Sequence, residues 1–337
     1  MHISKPKKMN ILLILEVLKK YSDDNIKLTQ KEIGDIVERD YDVPFDRHTL
    51  KRNLDNLYDF KCGVEYAERD SETGAQGGWY FERELTDAEL RMLIDGLLFS
   101  KYIPYSECKE LIKKLESIGS VNFKRSHNLP ENRPENKQIF LNIEEILYAM
   151  STRKKIAFHY MRYNIDKNAH VSLCREGRPR RYVINPYEIV ITNGRYYLIC
   201  ATDKGDKLAH YRLDHICDVE VLKSENRRSI REITGYRNGL RLAEYMRERP
   251  YMMFSGDIKR VTIRLDKGTI GHVLDWFGND VHFTEEANDM VKAVITVNEQ
   301  AMFFWALQYG KFVEVLEPKS LRKQIHETIT AMAKRYE

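Results

Sequence analysis

The chain has no paired-cysteine motif, no long apolar run and little net charge, and each absence closes a class of explanation. Its five cysteines, Cys62, Cys108, Cys174, Cys200 and Cys217, are scattered and odd in number, with no C-x-x-C spacing. That argues against a disulfide framework or a zinc ribbon and for a reducing, cytoplasmic setting. The first ten residues are basic, but only the short run "ILLIL" follows before Glu16. This fits an amphipathic helix, not a signal peptide or a membrane span. The formal charge is only +4 over 337 residues, so a surface for an anionic partner must come from local clustering.

Catalytic signatures are also missing. There is no G-x-S-x-G and no H-E-x-x-H, and "ETGAQGG" lacks the G-K-[ST] ending of a phosphate loop and falls in a hairpin. The ten histidines show no tight ligand spacing. His210 and His215, five apart on an expected strand, read as structural or site-lining. No enzyme activity, cofactor or metal is expected.

What is present is enough apolar sequence, 42%, for packed cores in two or three domains. Apolar residues at Ile11, Leu12, Ile14, Leu15 and Leu18 have helical spacing. Thr29 with Glu32 forms a capping box that opens a second helix. Asp46 can cap a third, with Leu50, Leu54 and Leu57 as its buried face. The strand-like runs "GVEYA" and "GGWYFE" follow, so the element order is that of a winged helix-turn-helix. Thr86 starts further helices near 87–101 and 106–118, and a polar stretch at 120–136 with Pro130 and Pro134 reads as a linker. After a helix from "IFLNIEEILYAM", residues 155–223 read as several short strands, a strongly bent sheet or small barrel. Residues 224–256 are charged, with one short helix near Leu240–Arg249. From Asp257, "RVTIRL", "MVKAVITV" and "FVEVLEP" read as strands among three helices. The resulting βαββαβα-like order predicts ferredoxin-like packing, with Trp276 and Trp305 in its core.

Two stretches could carry chemistry. On the third helix, Arg47, His48, Thr49, Lys51 and Arg52 lie on the side away from the leucines, where a recognition helix meets the major groove and phosphates. An ordinary solvated face is the alternative, since residues 1–60 hold eleven Lys/Arg and eleven Asp/Glu. Arg69 and Gln76 in the wing could reach a nucleic-acid backbone. The second stretch is Met150 to His215, with thirteen Lys/Arg against six Asp/Glu, a surplus of seven. Seven tyrosines interleave with that charge. Arginine forks for phosphate and aromatic faces for bases suit a nucleotide or single-stranded nucleic acid. A plain solvated face on a small barrel is again the alternative. The site reading expects Tyr160, Arg181, Tyr196 and Arg212 on one side.

Several motifs resemble one family. "DRHTLKRNL" is similar to the recognition helix of the WYL-domain transcriptional regulators, with Asp46 in the Ser place, His48 in the Arg place and Asn53 for Asp. "PYEIVITNGRYYLI" and "YRLDHI" resemble the signatures of the WYL domain. "VLDWFGNDV" and "WALQYGKFVEVLEP" resemble those of its C-terminal extension, WCX. Two departures stand out: Tyr196 replaces the name-giving tryptophan, and His215 stands where the family commonly has Arg. The resemblance implies an α+β multidomain protein: a winged helix-turn-helix over 1–84, a helical linker over 85–136, and a WYL domain over 137–225. A linker over 226–256 and WCX over 257–337 complete it. It further implies an Sm-like β-barrel for WYL, with Tyr160, Arg181, Tyr196, Tyr197, His210 and Arg212 as ligand contacts and Arg178 and Arg180 as helpers. Arg47, His48, Thr49, Lys51 and Arg52 would contact DNA.

The expectation is a cytoplasmic, bacterial-type transcription factor acting as a homodimer on double-stranded DNA. A nucleotide or single-stranded nucleic-acid effector would shift its DNA affinity. A second expectation is an RNA- or single-strand-binding accessory protein that modulates a nuclease effector.

Overall fold

The computed structural model describes residues 9–71, 74, 76–100, 103–123, 138–252, 254 and 256–337. Most of the 120–136 linker stretch lies outside those residues. The chain divides into two compact units, 1–135 and 136–337.

The first unit begins with three helices, α1 (Asn10–Tyr21), α2 (Gln30–Tyr41) and α3 (Arg47–Asp59). The capping box at α2 is closed from both sides. Thr29 Oγ1 accepts from the Glu32 amide at 3.3 Å, and Glu32 Oε2 accepts from the Thr29 amide at 2.7 Å. Asp46 accepts from the amides of His48 and Thr49, satisfying two of the donors that a helix start leaves open. Ile14, Val17 and Leu18 of α1, Ile33 and Val37 of α2, and Leu50, Leu54 and Leu57 of α3 form one core. Each such side chain contributes about 1.5–3 kcal/mol on burial. The hairpin of β1 (Val64–Ala67) and β2 (Gly78–Phe81) packs on it, and Leu28 bridges to Trp79 beside β2. Gly78 has to be glycine, because a Cβ there would lie 2.6 Å from the Leu28 carbonyl oxygen. Two helices follow, α4 (Asp87–Phe99), opened by a second capping box at Thr86 and Glu89, and α5 (Tyr105–Glu116). Arg83 joins them to α1, donating to the carbonyls of Ser22 at 2.8 Å and Ile118 at 3.2 Å.

The second unit opens with α6 (Ile139–Ser151), then β3 (Lys154–Tyr163), β4 (Ala169–Val171), β5 (Arg181–Thr192), β6 (Arg195–Ala201), β7 (Ala209–Arg212) and β8 (Ile216–Asn226). All pairings are antiparallel. β5 carries the bend: its start pairs with β3 and its remainder with β6, with a register shift between Pro186 and Glu188. Asn193 and Gly194 turn β5 into β6 with φ of 50° and 70°, the two positive values a type I′ turn requires. One face of this sheet holds Phe158, Ile184, Leu198 and Cys200 against Ile146 and Ala149 of α6. The other buries Tyr197, Ile199 and Ala201 under Ile233, Tyr245 and Met252 of the following segment. Both faces being covered explains why "YYLICA" is continuously apolar rather than alternating.

That following segment contains α7 (Leu242–Arg247). After it come β9 (Ile258–Asp266), α8 (Ile270–Phe277), β10 (His282–Glu285), β11 (Met290–Asn298), α9 (Glu299–Gln308), β12 (Val313–Glu317) and α10 (Lys319–Ala333). The strands are antiparallel in the order β10-β11-β9-β12. β10 is the strand that the individual runs "RVTIRL", "MVKAVITV" and "FVEVLEP" leave out. Val261, Ile263 and Leu265 of β9 alternate inward onto Val273 and Phe277 of α8 and Met302 and Trp305 of α9. Among the described residues no helix is long and apolar enough to cross a membrane.

Candidate ligand site

The register of β6 on β7 sorts the site residues. Tyr197 lies opposite Arg212 and Ile199 opposite His210, while Leu198 faces Tyr211. Because side chains alternate along a strand, Arg195, Tyr197, His210 and Arg212 share one face. Tyr196, Leu198 and Tyr211 share the other.

On the Tyr211 side the tyrosines gather. The Tyr160 ring lies 5.3 Å from Tyr211 and 6.2 Å from Tyr182, which are 5.6 Å from each other. Tyr182 stacks on Phe158 at 5.5 Å, and the Arg180 guanidinium lies 4.7 Å over the Tyr182 ring. Burial pushes the Tyr160 hydroxyl above its ordinary pKa and that of Tyr211 up to about 12, so both remain protonated. Tyr160 also touches β7, since its hydroxyl oxygen accepts from the Arg212 backbone amide at 3.4 Å.

Those groups surround Asp214, which is 6% exposed. Arg212 meets it at 3.1 and 2.6 Å, Arg195 at 3.6 Å, and His215 Nε2 lies 4.0 Å away. Burial would lower the Arg212 pKa, but Asp214 more than offsets it and the group stays charged. His215 donates from Nδ1 to the Met161 carbonyl at 2.9 Å, which leaves Nε2 as an acceptor with no hydrogen-bond partner. Burial lowers the His215 pKa against the pull of Asp214, so it is uncharged at neutral pH. Two guanidiniums share one carboxylate, a surplus of one positive charge beside an aromatic cluster. The guanidiniums suit an anion and the tyrosines a stacking ring, on opposite faces of the β6–β7 pair.

The structure brings Tyr160 and Arg180 to the tyrosine cluster, on which Tyr196 also packs, while Arg212 meets it through its backbone amide and sends its side chain to Asp214. It does not bring in Arg181, which pairs opposite His159 on the face away from Phe158 and Tyr160 and reaches Glu220 at 2.5 Å. The expected one-sided set of Tyr160, Arg181, Tyr196 and Arg212 is therefore split twice: Arg181 leaves it, and the alternation along β6 and β7 puts Arg212 on the face opposite Tyr196, against a site built on one face. Arg178 is exposed and bonds Glu176. Tyr197 is only 5% exposed and belongs to the core under Tyr245 and Met252. His210 is covered as well, with Nε2 2.7 Å from the Tyr245 hydroxyl, and burial with the nearby Arg249 charge lowers its pKa to about 4. Tyr182, Tyr211, Asp214 and Arg195 are the additions. Tyr211 and Asp214 sit inside "YRLDHI", where spacing alone could have marked them. Arg195 required the strand register.

In the first unit, Arg47, His48, Lys51 and Arg52 are exposed on α3 and Thr49 is half-buried, away from the leucine face. Gln76 donates to Glu32 at 3.2 Å, so this wing residue is tied to α2. Arg69 is exposed.

Residues 142–221 match the WYL domain and residues 257–333 match the WCX domain. The chain carries a WYL domain followed by a WCX domain. Tyr160, Arg180, Arg212 and Asp214 all fall within its WYL domain. The chain is 26% identical over 153 residues to the uncharacterized HTH-type transcriptional regulator YobV of Bacillus subtilis (strain 168). That match spans 45% of this chain and 46% of YobV, less than half of either. Two solved structures are also similar. One is the proteasome accessory factor B/C of Arthrobacter aurescens, at 15% identity and TM-score 0.28, covering 97% of this chain and 48% of that one. The other is the crystal structure of a CRISPR Cas-related protein, at 13% identity and TM-score 0.37, covering 100% and 88%.

Proposed function

We propose that this WYL-domain protein is a ligand-responsive, DNA-binding transcriptional regulator whose WYL domain holds a nucleotide or a single-stranded nucleic-acid effector. The observation that carries the effector reading is Tyr160, whose ring joins Tyr182 and Tyr211 while its hydroxyl accepts from the backbone amide of Arg212, at the residue whose side chain holds Asp214. A base would stack on the tyrosines, and a phosphate passing round β7, the end strand of the sheet, would share the guanidiniums of Arg212 and Arg195 with Asp214. The DNA reading is supported by the order of three helices and a hairpin, taken as a winged helix-turn-helix, and by the exposed row on α3. Arg47, His48, Thr49, Lys51 and Arg52 would meet the duplex there. The relation to an HTH-type transcriptional regulator points the same way.

The other modules follow as part of this reading. The bent β3–β8 sheet is taken as an Sm-like barrel, and the order β10-β11-β9-β12 supports ferredoxin-like packing of the WCX domain. The protein acts in the cytoplasm as a homodimer, so that two recognition helices read two half-sites, and it is not an enzyme. Effector binding shifts the population toward one arrangement of the modules and so changes DNA affinity.

The balanced charge of residues 1–60 favours a second reading, an RNA- or single-strand-binding accessory protein that modulates a nuclease. Selection from random duplex and single-stranded pools separates the two. Enrichment of a palindromic duplex bound with steep salt dependence supports the regulator. Enrichment of single strands alone, dependent on Arg212, would replace it with the accessory protein.

A further inference from the structure

We propose that the segment joining the WYL and WCX domains forms a second, separate binding site for a small oxyanion carried on a planar ring. A cleft of about 450 Å³ lies there, lined by Tyr236, Arg237, Gly239, Arg241, Tyr245 and Arg249 among others. That volume falls in the range of small-ligand sites, roughly 300–1,000 Å³. The proposal does not depend on the effector site at Tyr160 and Arg212, because none of the residues that line the cleft belongs to that group.

Arg249 carries the inference. It is 8% exposed, yet among the described residues its charge meets one carboxylate, Glu248, at 3.4 Å. Its guanidinium otherwise lies 4.0 Å over the Tyr245 ring. A buried cation is normally satisfied by close, multiple contacts, and a guanidinium has five donors to place. Among the described residues one long contact and a ring face hold it at the wall of an open cleft, an arrangement that suits an anion. Two more arginines lie at the same cleft. Arg237 is exposed and makes no ion pair among the described residues, while Arg241 is 82% exposed and bonds Glu244 at 3.0 Å. Glu244 and Glu248 do not cancel three arginines, so the lining keeps a surplus of one positive charge. Tyr236 lies 6.0 Å from Tyr245 and supplies an aromatic wall for the ring of the ligand. Gly239 has φ of 89° and nothing within 4 Å of where its Cβ would be, so backbone stands open to the cleft there.

The cleft has a mechanical link to the WYL sheet. Tyr245 forms its wall with one edge and bonds His210 of β7 with its hydroxyl at 2.7 Å. An anion drawing Arg249 away from the Tyr245 ring would be felt at His210, two residues from Arg212.

The experiment is calorimetric titration of the full chain with AMP as probe and adenosine as its uncharged counterpart, followed by the His210 imidazole signal in NMR. The expected result is saturable binding of AMP, at least tenfold weaker binding of adenosine, and a shift of the His210 signal on AMP addition. In the parent chain and in an Arg212→Ala background, which removes any nucleotide held at the effector site, Arg249→Met should remove AMP binding at the cleft, and the exposed pair Arg237→Glu and Arg241→Glu should weaken it several-fold without touching the fold. AMP binding lost in Arg212→Ala but intact in the Arg237/Arg241 variants would overturn the cleft assignment, as would no saturable binding of AMP at all. Neither result bears on whether single strands bind at Tyr160.

Discussion

The Arg212 guanidinium grips the Asp214 carboxylate as a fork, Nε to Oδ1 at 3.1 Å and Nη2 to Oδ2 at 2.6 Å. Asp214 is thereby the anchor that holds a charged group at the edge of the tyrosine cluster, and Arg195 leans on the same oxygen. Asp214→Asn removes the charge that keeps two guanidiniums together. It should cost about 2 kcal/mol in urea denaturation, the worth of a charge-assisted bond in a mostly buried place. It should also weaken binding of a short single-stranded oligonucleotide, because Arg212 loses its fixed geometry. Unchanged stability with unchanged oligonucleotide binding would remove Asp214 from the site.

Tyr197 and Arg180 should behave in opposite ways. Tyr197→Ala empties a place in the core between β6 and the segment above it, and should cost about 3 kcal/mol. Arg180→Ala touches an exposed side chain and should change stability by less than about 0.5 kcal/mol. It should nevertheless weaken oligonucleotide binding about tenfold, the value of one charged contact. Oligonucleotide affinity measured by anisotropy on both variants checks the pair.

His210 gives a pH dependence with a definite sign. Its folded pKa of about 4 lies below the unfolded value near 6.5, because burial and Arg249 disfavour the charged ring. The unfolded chain therefore binds the proton first as pH falls, and the stability gained from a neutral His210 is present above about 6.5 and lost toward 4. The loss is at most about 1.4 kcal/mol per pH unit in that window. His215 is shifted in the same direction and adds to it. Chemical denaturation across pH 7 to 4 should show a shallower fall in His210→Gln than in the parent chain. Parallel curves would mean that His210 is not the titrating group.

On α3, Lys51→Ala and Arg52→Ala should each weaken duplex binding and reduce the salt slope of the affinity by about one. Asp46→Ala should instead lower stability by about 1 kcal/mol through the lost cap. Duplex titrations at several salt concentrations distinguish these effects. A cap variant that alters the salt slope, or an arginine variant that does not, would mean that α3 is not the contacting helix.

Much of the fold was legible because its signals are local. Thr29 with Glu32, Asp46 and Thr86 with Glu89 each mark a helix start within four residues, and Asn193-Gly194 marks a turn within two. β10 was harder, since "HFTE" is short and its partner β11 is what makes it a strand. The site was legible in composition but not in geometry. Tyrosines and arginines between 150 and 215 mark the stretch by composition. Which of them meet is set by the bend in β5 and the register of β6 on β7. The pairing of β3 with β5 and with β8 sends Arg181 to Glu220, while the register of β6 on β7 puts Tyr197 on the covered face and Arg195 beside Arg212. Tyr245, which covers His210, lies 35 residues further along the chain, beyond the reach of any local pattern.

The most direct measurement is duplex affinity by fluorescence anisotropy, with and without a short single-stranded oligonucleotide, for the parent chain and Arg212→Ala. The duplex is one that the protein itself selects from a random pool. The parent chain should change its duplex Kd by roughly 5- to 150-fold when the oligonucleotide is added, the usual range of coupling between two sites. Arg212→Ala should bind the duplex as the parent chain does and show no change on adding the oligonucleotide. A parent chain that does not respond, or an Arg212→Ala variant that folds normally yet loses basal duplex binding, would contradict a WYL effector site that controls the helices of the first unit.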